Sequence, residues 1–271
     1  MGFWSNLFRK KPAADQYYLS ICCIIKDENV YLSEWINYHR KIGAQHFFIY
    51  DNGSKKPIAD TIAELGFNDF VTVNTIAGKA KQVKAYGDCI KFYGPASRWI
   101  AFIDVDEFIV PKTTHGDLPA FLKDYESYGG LGVNWLIFGS AGHIKKTGKP
   151  QLESFTKRSE PGFHVNKHIK SIVQPRFVAS SKNAHSFNYV DGKFAVNENF
   201  EQIEGAFIDN STSKIQLNHY YCRSLEEFEE KMRRGIADTR KGRTMEQFTH
   251  HDQDANEVED TTILEILKER G

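Results

Sequence analysis

The chain has 271 residues, enough to bury a full core, and its 41% hydrophobic and 26% charged content is ordinary for a globular protein. Lys plus Arg equals Asp plus Glu at 35 each, which argues against a general nucleic-acid binder. No apolar run approaches the roughly 20 residues that span a bilayer. Cys22, Cys23, Cys89 and Cys222 lack zinc spacing and read as reduced core thiols.

In chain order, residues 1–11 come first. Phe3, Trp4, Leu7 and Phe8 fall at helical spacing, and Arg9, Lys10 and Lys11 follow. The stretch is too short for a signal peptide, and Asn6 stands where N-myristoylation needs Ser or Thr. Two readings stay open: an interfacial anchor with rings in the acyl boundary, or a frayed terminus or helix packed on its own domain. We set residues 1–16 apart as an amphipathic tail and assign 17–271 to one domain.

Tyr17 to Ile25 is an apolar, β-rich run closed by Lys26-Asp27-Glu28-Asn29. Leu32, Trp35, Ile36 and His39 then repeat at helical spacing, and Gly43 stops that helix. His46 to Tyr50 reads as a strand closed by the turn Asp51-Asn52-Gly53-Ser54. Helices over Ile58–Leu65 and Lys81–Tyr93 alternate with strands over Phe70–Val73 and Trp99–Ile103. The alternation predicts an α/β fold with a mostly parallel sheet and right-handed crossovers. Ligands of such sheets bind beyond the carboxyl ends of the strands, where Asp27, Glu28, Asp51, Asp104 and Asp106 collect.

After Pro111 the alternation is lost. A helix is expected over Leu118–Tyr125 and strands over Leu131–Phe138, Ser171–Val173, Phe177–Ala179 and Lys214–Tyr221. Leu225–Ile236 reads as an amphipathic helix with its charges outward, the tail from Asp238 as polar, and Thr262–Lys268 as a last helix.

The chemistry concentrates at Trp99-Ile100-Ala101-Phe102-Ile103-Asp104-Val105-Asp106-Glu107. Three carboxylates in four positions are costly at the end of an apolar strand unless something neutralises them. Strand alternation would put Asp104 and Asp106 on one side, a pair suited to a hard divalent cation, Mg²⁺ or Mn²⁺, with positions left for a substrate phosphate. The alternative is a set of solvated acids closing a surface strand.

An α/β half ending in Asp-x-Asp before an irregular half is the layout of GT-A nucleotide-sugar transferases. Ile24–Asn29 with Glu34–His39, His46–Ser54 and Asp104–Phe108 resemble glycosyltransferase family 92 and the related family-2-like group. So do Asn134-Trp135 with Phe138-Gly139-Ser140, Lys170–Val173, Asn218-His219-Tyr220 and Asp254–Asp260. The blocks keep their order from about residue 20 to 265.

The resemblance implies an inverting, metal-dependent hexosyltransferase that moves a sugar from a UDP-sugar, galactose favoured, to a glycan or glycolipid acceptor. It implies a GT-A fold with an irregular acceptor-side half, Mn²⁺ or Mg²⁺ on Asp104 and Asp106, and His219 as a further ligand. A histidine is otherwise more often structural. Asp51 resembles the acid that holds the nucleoside, against a turn-forming role. Glu28 and Gln82 are placed at the donor, Gln82 against a solvated helix face. Lys170 would meet a phosphate or form a salt bridge. Trp135 would be a sugar-stacking wall or a core residue. The catalytic base is expected at Glu153, with Glu198 and Asp254 as rivals, and Glu107 orients the metal site.

Many eukaryotic relatives carry a membrane anchor and disulfides. Their absence here fits a cytoplasmic enzyme, peripheral on the inner membrane face through residues 1–11, that builds a polysaccharide of the lipopolysaccharide or capsule kind. Two other classes compete. A nucleotidyl- or phosphotransferase would be expected to show a P-loop or Gly-rich nucleotide motif, which is missing. A non-catalytic glycan-binding module would have no need of the acidic set. The sequence does not speak to oligomeric state.

Overall fold

The computed structural model describes residues 14–235 and 242–271. The amphipathic start over residues 1–11, with its membrane reading, lies outside the described residues. The chain runs β1 (Tyr17–Ile25), α1 (Leu32–Lys41), β2 (His46–Asp51), α2 (Ile58–Glu64), β3 (Val71–Thr75), α3 (Gln82–Tyr93), β4 (Ser97–Phe102) and β5 (Glu107–Pro111). It continues through α4 (Leu118–Leu122), β6 (Gly130–Ile137), α5 (Gln151–Ser154), β7 (Lys157–Arg158), β8 (Ile169–Val173), β9 (Val178–Ser181), β10 (Phe187–Tyr189), β11 (Ala195–Val196) and β12 (Gln202–Ile203). It closes with β13 (Ile215–His219), α6 (Leu225–Arg234), α7 (Met245–Asp254), β14 (Val258–Glu259) and α8 (Thr262–Glu269).

Ten described strands share one mixed sheet in the order β12-β11-β6-β8-β4-β1-β2-β3, with β13 joining β6 to β5. The block β4-β1-β2-β3 is parallel, as the alternation of strands and helices requires. Beyond β4 the sheet becomes mixed: β8 runs antiparallel to both β4 and β6, and β13 is parallel to β6 but antiparallel to β5.

The inner parallel strands are mostly apolar because both faces are covered, whereas the edge strand β3 is half-exposed and carries Thr72, Asn74 and Thr75. Leu19, Ile21, Cys23 and Ile25 enter one core with Trp35, Ile36, Phe47 and Trp99. Cys22 and Ile24, pointing the other way, enter a second core with Phe48, Tyr86, Cys89, Ile100 and Phe102. All four cysteines are free and buried, as the thiol reading expects. Among the described residues no helix is long and apolar enough to cross a membrane.

The elements not foreseen are β5, α5, α7 and the short strands β7, β10, β11, β12 and β14. Helix α7 falls in the polar tail, and none of its residues is buried, so it carries no apolar period. Its start nevertheless carries a capping box, in which Thr244 and Gln247 satisfy each other's backbone N–H groups. The tail is held to the sheet where Gly139 N–H donates to Ala255 O at 2.9 Å and Ser140 Oγ donates to Asp252 Oδ2 at 2.8 Å.

Candidate active site

Asp104 and Asp106 lie in the turn between β4 and β5, at the carboxyl end of the parallel block. The strand stops at Phe102, and Glu107 N–H donates back to Asp104 O at 3.0 Å. Strand alternation therefore does not extend to these residues, and the two carboxylates face different partners. Asp104 accepts from Gln82 Nε2 and from Lys170 Nζ, each at 2.8 Å. Asp106 accepts from Lys231 Nζ at 2.7 Å and faces His219 Nε2 across 3.7 Å.

Register explains how distant residues reach this turn. On β13, His219 stands opposite Glu107 of β5, and Leu217 opposite Trp135 of β6. The His219 and Trp135 rings thereby meet at 4.4 Å between centres. Lys170 comes from β8, one residue before Ser171, which pairs with Phe102 at the end of β4. Gln82 is the first residue of α3. Lys231 reaches in from α6 and also donates to Tyr220 O and Tyr221 O at 3.0 and 2.8 Å.

The electrostatics follow from burial and pairing. Burial alone would raise the Asp106 carboxyl, but Lys231 and His219 outweigh it and hold the group well below the usual range. Burial pushes Glu107 up to about 8, against the opposing pull of Lys170 and with the help of Asp104 and Asp106. Burial would lower Lys170, yet Asp104 and Glu107 hold it well above its ordinary value. The result is two charged pairs, Lys231–Asp106 and Lys170–Asp104, with Glu107 between them accepting from Asp104 N–H at 2.8 Å. Burial also lowers His219, so its imidazole is neutral at pH 7.

These groups bear differently on a divalent ion. His219 is a neutral imidazole whose Nδ1 is buried without a partner, and its Nε2 faces Asp106 Oδ1 at a span longer than a hydrogen bond. Two ligand bonds of roughly 2.1 Å can meet across such a span, so this pair suits the ion. Asp104 stands apart from this pair: its two oxygens accept one hydrogen bond each, from Gln82 and Lys170. Among the described residues no three His, Cys, Asp or Glu side chains converge on one metal-sized point. Remaining ligands would have to be substrate oxygens or water.

A cleft of about 560 Å³ opens beyond β1 and β2, lined by Lys26, Asp27, Gly53, Lys55, Glu230, Arg233 and Arg234. Glu28 is at its edge, accepting from Arg223 Nη1 at 3.2 Å and Arg234 Nη2 at 3.0 Å. Helix α6 thus supplies both the ammonium on Asp106 and the guanidinium groups of the cleft.

Not every expected residue joins this group. Asp51 is at the right strand end, but its carboxylate accepts from Ser54 N–H at 2.8 Å and Ile58 N–H at 3.1 Å, shaping the turn into α2. Glu153 is exposed on α5 and lines a separate hollow with Glu34, Tyr38, Lys41 and Leu264. That hollow includes no residue of the carboxylate cluster. Glu198 is buried, and Ser211, Ser213, Lys214 and Ile215 all donate to its oxygens. No oxygen is left to take a substrate proton. Asp254 is half-buried at the end of α7.

Sequence reasoning missed Lys231, Arg223, Arg233 and Arg234. No sequence signal marks Lys231: only the structure shows that Glu227, Phe228 and Lys231 share the buried face of α6. The expectation that this helix turns its charges outward is corrected. Ser224 and Glu227 form its capping box, Tyr31 Oη donates to Glu227 at 2.5 Å, and Asp106 receives Lys231, so both inward charges are paired.

The model of glycosyltransferase family 92 matches residues 16–269. The chain belongs to glycosyltransferase family 92. A family 92 protein of Ricinus communis is 25% identical over 249 residues, covering 87% of this chain and 40% of that protein. One from Oryza sativa subsp. japonica is 27% identical over 225 residues, covering 81% and 36%. An Arabidopsis thaliana family 92 protein is 24% identical over 198 residues, covering 68% and 34%. The chain therefore spans well under half the length of these family 92 relatives. One solved structure, described as a glucose-1-phosphate thymidylyltransferase from Bacillus anthracis, covers 60% of this chain and 67% of its own at 13% identity. Its TM-score of 0.32 is too low to carry an argument.

Proposed function

We propose that this family 92 chain is an inverting glycosyltransferase of GT-A type that uses a nucleotide sugar, UDP-linked and with galactose favoured, to glycosylate a glycan or glycolipid hydroxyl. The observation that carries this reading is the arrangement around α6. One helix presents Lys231 to Asp106 at 2.7 Å and Arg233 and Arg234 to the adjoining cleft. Inverting transfer needs a leaving nucleoside diphosphate whose growing charge is met by fixed cations. Lys26, Lys55, Arg233 and Arg234 line a cleft large enough for a nucleotide.

Asp106 and His219 are the residues that would hold Mn²⁺ or Mg²⁺, and such an ion supplies Lewis-acid stabilisation of the departing diphosphate. Asp104 has a different part in this reading. Its fixed carboxylate, held by Gln82 and Lys170, borders the donor and orders the turn. Lys170 neutralises that carboxylate, which keeps Lys170 itself from being a free phosphate ligand. We place the enzyme at a membrane-linked glycan in the cytoplasm, in polysaccharide synthesis.

Isothermal calorimetry tests the donor half of the reading. UDP with Mn²⁺ should bind the wild type, and Asp106→Asn and His219→Ala should each lose the metal-dependent part of that binding while keeping the circular dichroism spectrum of the folded chain, although Asp106→Asn also melts earlier because it leaves the buried Lys231 ammonium unpaired. Equal UDP affinity in EDTA and in both variants would rule out the metal assignment.

A further inference from the structure

A series of rings runs outward from the carboxylate cluster. His219 meets Trp135 at 4.4 Å between ring centres, and Trp135 stacks on His168 at 4.7 Å and 17°. His168 meets Phe207 edge-on at 4.4 Å, and His185 flanks the series 5.3 Å from Trp135 and 5.5 Å from His168. Exposure rises along it, from 9% at Trp135 to 61% at Phe207. His185 also lies close enough to feel the charges of Lys170 and Asp104.

Backbone contacts fix the ledge. Trp135 N–H donates to His168 O at 3.0 Å, His168 and Phe207 form an antiparallel bridge, and Ser171 Oγ donates to His185 O at 2.6 Å. These contacts hold the rings in place before any ligand arrives.

The imidazoles are in one defined tautomer. His168 Nδ1 is 2.9 Å from Val165 O, and His185 Nδ1 is 2.8 Å from Ile169 O. A carbonyl only accepts, so each Nδ1 carries the hydrogen and each Nε2 presents a lone pair. Burial lowers both groups, His185 to about 3, so both rings are neutral at pH 7. Such weak bases make poor proton acceptors in catalysis but good hydrogen-bond acceptors for hydroxyl groups. The lysines on either side of His168 in the chain are already paired: Lys170 with Asp104 and Lys167 with Asp209, each at 2.8 Å. An anionic sugar would find no unmatched cation among them.

We propose that His168, His185 and Phe207, backed by the buried Trp135, form the acceptor subsite and take a neutral pyranoside. The apolar ring face of the sugar lies against the aromatic ledge, and its hydroxyls donate to Nε2 of His168 and His185. Phe207 marks the outer, reducing or extended end of the glycan, and the reacting hydroxyl points toward His219. The role as acceptor subsite rests on the transferase reading above; the sugar-binding chemistry of the ledge does not.

Saturation-transfer NMR of the full chain with methyl β-galactoside, methyl β-glucoside and methyl α-mannoside, without donor, tests the subsite. At least one glycoside should receive saturation from the wild type. Phe207→Ala and His168→Ala should each weaken that binding by about tenfold, the size of one lost ring contact or hydrogen bond. UDP affinity by calorimetry should not change in either variant. A wild type that engages none of the glycosides, or variants that bind them as well as the wild type, would overturn the proposal. Glycoside binding with the expected losses, in a protein that binds no nucleoside diphosphate, would uphold the sugar site and remove the transferase reading instead. Phe207 is exposed, so its truncation leaves the core intact and keeps the test informative.

Discussion

Lys231 Nζ stands 2.7 Å from Asp106 Oδ2, although the two residues are 125 positions apart in the chain. Both side chains are nearly inaccessible, at 1% and 10% exposure. Removing the cation would strand a buried carboxylate. Lys231→Met should therefore destabilise the fold by roughly 3–5 kcal/mol, the cost of breaking one partner of a buried pair. Urea unfolding at pH 7 measures this, and a loss below about 1 kcal/mol would place the pair in the class of exposed ion pairs.

The Lys170–Asp104 pair should behave less severely. Lys170 is buried but the Asp104 side chain is 34% exposed, so water screens part of the charge. Lys170→Met should cost about 2–3 kcal/mol, between the exposed and buried limits. It should also weaken donor binding, because the turn carrying Asp106 loses its anchor. Denaturation and UDP calorimetry on one variant read both effects.

Acid should expose the buried histidines. His39 is fully buried; its Nδ1 donates to Trp35 O at 2.8 Å and its Nε2 accepts from Ile109 N–H at 3.4 Å. Burial lowers it from 6.5 to about 3. A depressed imidazole means the unfolded chain binds more protons, so stability is complete above 6.5 and falls as pH drops toward 3. The wild type should lose stability between pH 6.5 and 4, a window above the ordinary carboxylate range. His39→Gln should reduce that slope by roughly 1.4 kcal/mol per pH unit, one proton's worth. Equal slopes in the two proteins would show that His39 takes up its proton as readily in the fold as in the unfolded chain.

Gly139 meets the tail so closely that a Cβ there would lie 2.5 Å from Ala255 O and 2.4 Å from Asn256 Oδ1. Gly139→Ala should cost about 1–3 kcal/mol through forced backbone displacement. Differential hydrogen exchange should show the loosening at α7, whose contacts with the sheet pass through this point.

Glu153→Gln should leave turnover close to wild type, because the carboxylate is exposed in a hollow apart from the cluster. A fall of roughly 10²-fold, the size expected of a general base, would return Glu153 to the mechanism.

Much of this was legible in the sequence. The parallel block was readable because continuous apolar runs ended in Lys26-Asp27, Asp51-Asn52 and Asp104-Val105-Asp106, and the structure puts those ends at one mouth of the sheet. Gln82, Lys170 and His219 were picked out and do converge on the two aspartates. The partition of the aspartates was not legible, since the strand ends at Phe102 and the turn after it breaks the two-residue period. Nor was the inward lysine of α6: a charge counts as solvated until its partner, 125 positions earlier, is known. The short strands of the second half, two to five residues long, carry too few positions for a period to register.

We propose glycosyl transfer at the Asp106–His219 end of the sheet. Incubating the full chain with UDP-galactose, UDP-glucose and other nucleotide sugars, Mn²⁺ and a glycoside acceptor, and following nucleoside diphosphate release with the anomeric configuration of the product, tests it most directly. We expect release from one donor, an inverted product, and a loss of at least roughly 10²-fold in Asp106→Asn, in keeping with removal of a charge-stabilising group. Release at the wild-type rate in Asp106→Asn, or no turnover of any nucleotide sugar by a folded wild type, would contradict it.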